Sequence, residues 1–400
     1  MSADPVPPIE PGAPRDARPL AGVRVVELGE YVAAPLAAMM LADLGATVVK
    51  VERPPGGDPA RRFGHGNGSL SPQWVNCNRN KRSVVLDLRE EHARTELLRL
   101  VADAQVVVVG MRAAALERLG LGDDELHAAN PALVRAYITG YGDVGPMAGA
   151  PAYDSLLQGL SGLAHVQGGG LTPTLVRSFV ADKVAAMTCV QSVLAALLAG
   201  PRAPHGARLS TSMLDAMAYF DFPDVMVRRT VLADGDTPDV DDVGQAMRPI
   251  RASDGWLLVT PVTGRQIARA FEAVGRPDLQ AQLRGITDRG LLARRLVEFL
   301  EEGTVSGTVQ HWMTEFARLD VPCAPVHSLD GHLQDPQVLA SQVYGTHVHP
   351  ELGELRDVRY PTLFHGQGRF DTYAAAPSLG ADPPLWDVAA TGFVTKGSAP

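Results

Sequence analysis

Short apolar runs alternate with helical periodicity over the first half of the chain. Residues 23–28 (VRVVEL) and 47–52 (TVVKVE) have the length and composition of buried strands. Between them, residues 33–44 (AAPLAAMMLADL) follow a helical pattern, and Gly45 is a typical residue to end that helix. This order predicts a βαβ unit, which is the building block of a parallel sheet.

The same alternation continues to about residue 140. We predict strands at 84–88, 105–109 and 136–139, and helices at 91–103 and 113–119. Strands that alternate with helices of this length are typical of doubly wound folds. The fold class is therefore predicted to be α/β, with a Rossmann-like parallel-sheet large domain.

The strongest apolar run is residues 178–198 (SFVADKVAAMTCVQSVLAALL), which predicts a helix in the middle of a domain. Its first turn contains a single acid, Asp182. Judged locally, that acid is an N-cap, because free backbone N–H groups and the helix dipole stabilise an anion there. Polar residues interrupt the stretch 184–198, which is too short to span a bilayer, so no membrane association is expected.

The second half of the chain predicts a smaller α+β domain. A helical connector is expected at 214–232, a strand (GWLLVTPV) within 249–262, and helices at 266–274, 291–301 and 308–319. The predicted organisation is a disordered proline-rich tail at 1–19, a large domain at 20–221, a small domain at 222–329, a return to the large domain at 330–391 and a tail at 392–400.

Composition limits the kinds of ligand that the protein is expected to bind. The 400 residues carry a net charge of −9 at a pI near 5.7, which argues against a nucleic-acid surface and favours a small ligand. The three cysteines form no CxxC pair, and the N-terminus has no apolar signal segment, so a cytoplasmic protein is expected. The histidines lack partners at ligand spacing, and no metal site is predicted.

The sequence contains neither of the two common nucleotide-binding motifs. Residues 29–34 contain one glycine where a dinucleotide fingerprint needs three, and no P-loop motif occurs. A basic cluster beside the second and third strands admits two interpretations, a phosphate site or a solvated loop. Its members are Arg53, Arg79, Lys81 and Arg82. The glycine-rich and proline-rich loop at 140–151 is a candidate border of an active site.

Several blocks, in this order, resemble the family III CoA-transferases. They are LAGVRVVELGEYVAAPLAAMMLADLGATVVKVERPPGGDPAR, NRNKRSVVLDL, ITGYGDVGP with YDSLLQGLSG, and VPCAPVHSLDGHLQDPQVLA with HPELG. The resemblance covers residues 20–364. The same superfamily contains formyl-CoA, carnitine and bile-acid transferases and the α-methylacyl-CoA racemases.

The resemblance implies a chemistry for Asp182. In the transferases of this family, the nucleophile is an aspartate that opens a long helix, and Asp182 matches it. The implied activity moves CoA from an acyl-CoA to a free carboxylic acid through an aspartyl anhydride and an aspartyl-CoA thioester, with CoA as substrate and no permanently bound cofactor. A carboxylate at a helix N-terminus is expected to stay ionised. The implied assembly is an interlocked homodimer.

Further site residues carry over from the family by position. Asp154 matches an acid beside the thioester, although a turn or helix-capping acid is the alternative. The family's CoA contacts match Val32, Ala33, Arg53, Leu86 and Arg118, together with Gly110, Met111 and Arg112 in a turn whose family sequence is NFRPG, and Tyr153. The family's glycine-rich lid matches residues 242–246, where Gly244 and Gln245 lie.

Two alternative functions remain open, a 2-methylacyl-CoA racemase and a non-catalytic CoA-binding protein. The racemases carry a histidine just before the acid of the motif, where this chain has Tyr153 before Asp154. A tyrosine, with a usual pKa of about 10, is a poor base at neutral pH compared with a histidine. The substitution therefore favours CoA transfer over racemisation.

Overall fold

The structure is a computed structural model that describes residues 18–63, 70–200, 205–232, 247–364 and 373–386. The chain divides into two compact units. The first comprises Met1–Phe222 with Gln342–Pro400, and the second comprises Pro223–Ser341. The boundaries predicted for the small domain were 222 and 329.

A six-stranded parallel sheet forms the centre of the first unit. Its strands are β1 (Arg24–Leu28), β2 (Thr47–Glu52), β3 (Lys81–Val85), β4 (Val106–Val109), β5 (Val134–Thr139) and β6 (Ala207–Ser212). They lie in the order β3-β2-β1-β4-β5-β6, and all neighbours are parallel. The α/β prediction is thus confirmed, and β1 and β4 meet where the strand order reverses, the usual ligand position in such sheets.

Helices cover the sheet and connect its strands. They are α1 (Ala33–Asp43), α2 (Pro72–Asn78), α3 (Glu91–Ala102), α4 (Ala113–Arg118), α5 (Asp123–Ala129), α6 (Asp154–Leu160), α7 (Leu163–Gln167), α8 (Val180–Ala199) and α9 (Met213–Asp221). A short 3₁₀ helix lies at Pro59–Arg62. An antiparallel hairpin of Tyr344–His349 and Gly353–Val358 completes the unit.

Two apolar cores lie on opposite faces of the sheet, which explains why the strands are apolar throughout. On one face, Val25 and Val108 pack with α1 and α8; on the other, Val26 and Val107 pack with α3 and α5. These four valines are fully buried. Alternate residues of each strand therefore support different helix layers.

The helix α8 begins and ends within two residues of the predicted range 178–198, and the stretch 184–198 that was judged too short for a bilayer is only part of it. Its 20 residues, Val180–Ala199, are long and apolar enough to cross a bilayer, so the argument from insufficient length is wrong. One face of α8 is nevertheless buried in the core of the first unit, including Ala181, Ala185, Cys189 and Val193. Burial of this face explains the apolar residues on it.

The second unit contains a three-stranded antiparallel sheet of Ile250–Arg251, Trp256–Val259 and Cys323–Pro325. Its longer helices are Gly264–Ala273, Arg289–Thr304 and Val309–Arg318. They enclose a core that includes Phe271, Trp312 and Phe316.

The predicted connector helix at 214–232 is shorter in the structure. The helix α9 ends at Asp221, and a separate 3₁₀ turn follows at Val227–Arg229. Pro223 contributes to this end, because proline lacks the backbone N–H that would continue the hydrogen bonds of the helix.

Arg79 and Lys81 of the basic cluster form neither a phosphate site nor a solvated loop. The strand β3 begins at Lys81 rather than at residue 84. The Lys81 side chain is fully buried, and its Nζ lies 2.7 Å from Glu27 Oε2. Arg79 is buried against Asp43, with 2.6 Å between Nη2 and Oδ2. These two cations are therefore core ion pairs, neither solvated nor available to phosphate.

Candidate active site

A cavity of about 970 Å³ opens at the carboxyl ends of the parallel strands in the first unit. Its walls are the segments that follow β1, β2, β3, β4 and β5, together with the entrance of α8. Since the carboxyl ends of parallel strands share one edge, segments far apart in sequence converge there.

Most of the predicted site residues line this cavity. They are Val32, Ala33, Arg53, Leu86, Gly110, Met111, Arg112, Tyr153 and Asp182. Two predicted residues are not on its wall: Arg118 is exposed at the end of α4, and Asp154 is buried behind the entrance of α8. The predicted lid residues Gly244 and Gln245 lie outside the described residues.

The entrance of α1 approaches the strand ends closely. A Cβ atom placed on Gly29 would lie 2.6 Å from Ala34 Cβ, and one placed on Gly110 would lie 2.9 Å from the same atom. Both distances are too short for a real side chain. Glycine at both positions therefore allows the first turn of α1 to reach the centre of the sheet edge.

Asp182 is the third residue of α8 rather than its N-cap, which is Phe179. Its carboxyl group is partly buried and lines the cavity. Burial and the neighbouring charge of Asp154 raise the pKa of Asp182 to about 7. The expectation that the helix N-terminus would keep this group firmly ionised is thus wrong, because desolvation and a like charge dominate.

Asp154 performs the capping function that was considered for Asp182. Its Oδ1 accepts hydrogen bonds from the backbone N–H groups of Ala181 (2.7 Å) and Asp182 (3.3 Å). Gln158 Nε2 donates to its Oδ2 at 2.7 Å. Asp154, the first residue of α6, therefore caps α8 from outside that helix.

Gln158 connects Asp154 to the segment that leads into α8. Its amide nitrogen lies 3.2 Å from the carbonyl oxygens of both Val176 and Ser178, and its Oε1 accepts the Val176 N–H at 2.9 Å. The side chain is almost fully buried. This network fixes Asp154 and the start of α8 together, so that the Asp182 carboxyl has a defined position.

Aromatic rings form another part of the wall. Tyr31 and Tyr153 pack edge to face with ring centroids 6.0 Å apart, and Phe63 packs on Tyr31 at 5.9 Å. Burial and the neighbouring Tyr153 raise the pKa of Tyr31. Tyr153 remains 58% exposed, so its ring is accessible from the cavity.

Most charged groups on the wall form pairs. Three pairs join Arg53 Nε with Glu30 Oε1 (3.0 Å), Arg89 Nη2 with Asp87 Oδ2 (2.6 Å), and Arg208 Nη1 with Asp143 Oδ2 (3.0 Å). Arg112 lines the cavity with no ion pair among the residues that the structure describes.

Sequence reasoning missed Asp87, Arg89 and Arg208 as wall residues. For the first two a signal existed, since Asp87 lies near the end of the strand that was predicted at 84–88 and Arg89 follows it directly. For Arg208 there was none, because β6 was not predicted. Within the described ranges, no group of three or more His, Cys, Asp or Glu side chains is arranged to hold a metal ion.

Comparison with known proteins places this geometry in a family. A family model described as CoA-transferase family III matches residues 20–383. The chain is 30% identical over 341 residues to the succinyl-CoA–L-malate CoA-transferase alpha subunit of Chloroflexus aurantiacus, covering 82% of this chain and 79% of that protein. It is 29% identical to the succinate–glutarate CoA-transferase of Agrobacterium fabrum, covering 80% of this chain and 83% of that protein.

Solved structures agree with the sequence comparisons. The crystal structure of Rv3272 from Mycobacterium tuberculosis superposes with a TM-score of 0.77 at 27% identity, covering 91% of this chain and 98% of that one. A CaiB/BaiF family protein from Brucella suis also gives a TM-score of 0.77, at 28% identity, covering 91% of this chain and 97% of that one. The chain therefore belongs to CoA-transferase family III.

Proposed function

We propose that the protein transfers CoA from an acyl-CoA to a free carboxylic acid, with Asp182 as the nucleophile. One observation supports this assignment above the others. Each other acid on the cavity wall has a cationic partner, whereas among the described residues none contacts the carboxylate of Asp182. An uncompensated acid with a raised pKa on a cavity wall is a typical catalytic arrangement.

The proposed reaction exchanges one thioester for another. The Asp182 carboxylate attacks the thioester carbonyl, the C–S bond breaks, and CoA thiolate leaves a mixed anhydride on the enzyme. The thiolate then attacks the aspartyl carbonyl, which releases the donor acid and forms an aspartyl-CoA thioester. The acceptor carboxylate repeats the two steps in reverse and regenerates Asp182.

The pKa of about 7 suits this chemistry. A carboxylate of higher basicity is a stronger nucleophile, and a group with this pKa is still about half ionised at neutral pH. Asp154 contributes to this basicity, because its negative charge makes Asp182 a stronger base. Its hydrogen bonds also hold the entrance of α8.

We further propose that acyl-CoA phosphates bind the cations on the wall. Arg112 has no ion pair among the described residues, and the Arg53 side chain is 66% exposed beside Glu30. Both are accessible to the three phosphate groups of CoA. Arg118 lies away from the wall and contributes less to this proposal.

Short dicarboxylic acids are the first acceptors to test. The names of relatives pair succinyl-CoA with L-malate and with D-citramalate, and succinate with glutarate. Another relative is named a probable fatty acyl-CoA transferase. We therefore propose a panel of succinyl-CoA and longer acyl-CoA donors against these acids.

The decisive experiment traps the enzyme-bound acyl group. Incubation with a reactive acyl-CoA followed by hydroxylamine should convert Asp182 to its hydroxamate, detected by peptide mass spectrometry. Asp182→Asn should remove both the adduct and CoA transfer. Asp215→Asn is the matched control, since Asp215 also lies in the first turn of an apolar helix but away from the cavity wall. A fully active Asp182→Asn protein would exclude the proposal.

Racemisation has less support. No histidine lines the cavity among the residues that the structure describes. A 2-methylacyl-CoA incubated in D₂O is expected to gain no α-deuterium, whereas an acceptor acid should yield a new thioester. Rapid deuterium uptake without CoA exchange would instead support proton transfer by Asp182.

A further inference from the structure

A group of buried charges lies directly behind the turn that joins β1 to α1. Glu27 on β1, Lys50 on β2 and Asp58 in the next loop have fully buried side chains. Glu27 and Lys50 are register partners in the parallel sheet, so their side chains lie on the same face. The fourth member of the group is Lys81.

The four charges neutralise one another. Glu27 Oε1 lies 2.7 Å from Lys50 Nζ, and Glu27 Oε2 lies 2.7 Å from Lys81 Nζ. Asp58 Oδ2 lies 3.0 Å from Lys50 Nζ. Burial lowers the pKa of Lys50, but the carboxylates of Glu27 and Asp58 outweigh it and raise the pKa above its usual value. Lys50 is therefore a charged donor inside the protein.

Two members of the group also contact the backbone of the turn. Lys50 Nζ donates to the carbonyl oxygen of Gly29 at 2.6 Å. Asp58 Oδ1 accepts the backbone N–H of Tyr31 at 3.1 Å and that of Ala60 at 2.9 Å. The Lys50–Asp58 ion pair thus joins both ends of the three-residue turn 29–31.

The conformation of this turn requires such support. Tyr31 has a φ of 67°, a left-handed conformation that is unfavourable for a side chain of this size. The next residue is Val32, the N-cap of α1, which has no side-chain cap hydrogen bond. Tyr31, Val32 and Ala33 all line the cavity, so a change in the turn moves the cavity wall.

We infer that Lys50 and Asp58 are positioning residues that act through the turn 29–31 and set the entrance of α1 for acyl-CoA. The inference rests on the proposed function only in assigning acyl-CoA to this cavity. Asp58 borders the cavity, but its side chain, like that of Lys50, has no solvent-exposed surface, so no covalent step is assigned to either residue.

The test compares CoA affinity with stability in Asp58 variants. Asp58→Ala removes both the acceptor for Tyr31 and the partner of Lys50, whereas Asp58→Asn keeps an oxygen acceptor. By calorimetric titration with CoA, Asp58→Ala should bind about tenfold more weakly, and Asp58→Asn should lie between it and the wild type. Hydroxylamine trapping at Asp182 with saturating acyl-CoA should still succeed in both, which separates this inference from the identity of the nucleophile.

Asp43→Asn is the matched control. Asp43 forms another buried ion pair at the opposite end of α1, with Arg79, and touches neither the turn nor the cavity wall. We expect this variant to lose thermal stability and keep its CoA affinity. An equal loss of affinity in Asp43→Asn, or unchanged affinity in Asp58→Ala, would overturn the positioning function.

A measurement on the wild type covers the case in which the Asp58 variants do not fold. The Tyr31 amide, bonded to a buried carboxylate, should exchange with deuterium as slowly as the amides of β1. Exchange at the rate of an exposed loop would show that the turn is not fixed by Asp58 and would also overturn the inference.

Discussion

Two carboxyl groups at the entrance of α8 have different environments and different chemistry. Asp154 accepts three hydrogen bonds, two from backbone N–H groups and one from the Gln158 amide. The carboxyl of Asp182 has none of these donors, and burial together with the neighbouring charge of Asp154 raises its pKa. Within the same helix entrance, Asp154 holds the structure, and Asp182 lines the cavity as the proposed nucleophile.

This difference predicts the pH dependence of acylation. Since Asp182 must be ionised to attack, the rate of single-turnover acylation should rise with pH and level off above about 7. Asp154→Asn removes the neighbouring negative charge, so the midpoint should move to lower pH. Stopped-flow or quenched-flow rates between pH 5 and 9 measure both, with Asp215→Asn as the unshifted control. A midpoint unchanged by Asp154→Asn would contradict the proposed coupling.

The same group affects folding stability. The pKa of Asp182 is about 7 in the folded protein and 3.8 as an ordinary carboxyl, so between these values the unfolded chain releases a proton that the folded chain keeps. The free energy of unfolding therefore falls as pH rises from 3.8 to about 7, and it falls no further above this range. Asp182→Asn should raise the unfolding free energy at pH 8 by up to about 4 kcal/mol.

Denaturant unfolding at pH 8 and at pH 4 tests this effect. The gain of Asp182→Asn over the wild type should be large at pH 8 and nearly vanish at pH 4, where the carboxyl is protonated in the folded protein. A gain that is equal at both pH values would attribute the effect to packing rather than to ionisation.

Sequence reasoning could propose Asp182 as the nucleophile through the family resemblance and its place in an apolar helix, and the structure places it on the cavity wall. It could not predict the raised pKa, because this results from burial in the fold and from the charge of Asp154, which lies on another helix. It also missed Arg208, whose strand β6 (ARLSTS) is a partly exposed edge strand with little apolar signal. Local patterns cannot report contacts made between distant segments.

At the scale of elements, the site depends on how closely α1 approaches the strand ends. Gly110→Ala would place a Cβ atom 2.9 Å from Ala34 Cβ and 3.4 Å from Gly29 Cα, so the first turn of α1 must move. We expect a destabilisation of about 1–3 kcal/mol and weaker binding of CoA, measured by denaturant unfolding and calorimetry.

Gly159→Ala is the control for this prediction. Gly159 lies within α6, and an added Cβ there meets nothing within 4 Å. Alanine is the better helix former, so stability should stay equal or rise by about 0.5–1 kcal/mol, with unchanged CoA affinity. If Gly110→Ala behaves like Gly159→Ala, the close approach of α1 is not required.

The elements themselves show where pattern reasoning works. The strands β1 and β2 and the helices α1 and α8 were predicted within about two residues, because long apolar periodicity determines them. The start of β3 was missed since Lys81 looks like a loop residue until Glu27 is known to lie beside it. A lysine in the core can be predicted from sequence only when its ion-pair partner is known.

At the scale of the whole molecule, the first unit exposes much apolar surface. The exposed residues include Leu156 and Leu160 on α6, Met187 and Leu198 on α8, and Tyr219 and Phe220 on α9. Leu198 is 81% exposed and Tyr219 is 82% exposed. Apolar patches of this kind commonly mark an interface, and the family resemblance implies a second copy of the chain as the occupant.

We therefore predict a homodimer with about twice the 42.5 kDa mass of one chain, stable at nanomolar concentration in sedimentation experiments. Interlocked chains cannot separate without unfolding, which distinguishes them from an ordinary dimer. Mixing tagged and untagged dimers should yield no hybrid after hours at neutral pH, and hybrids should form only after denaturant reaches the unfolding transition. Rapid subunit exchange under native conditions would exclude interlocking, and a monomer at all concentrations would exclude the dimer.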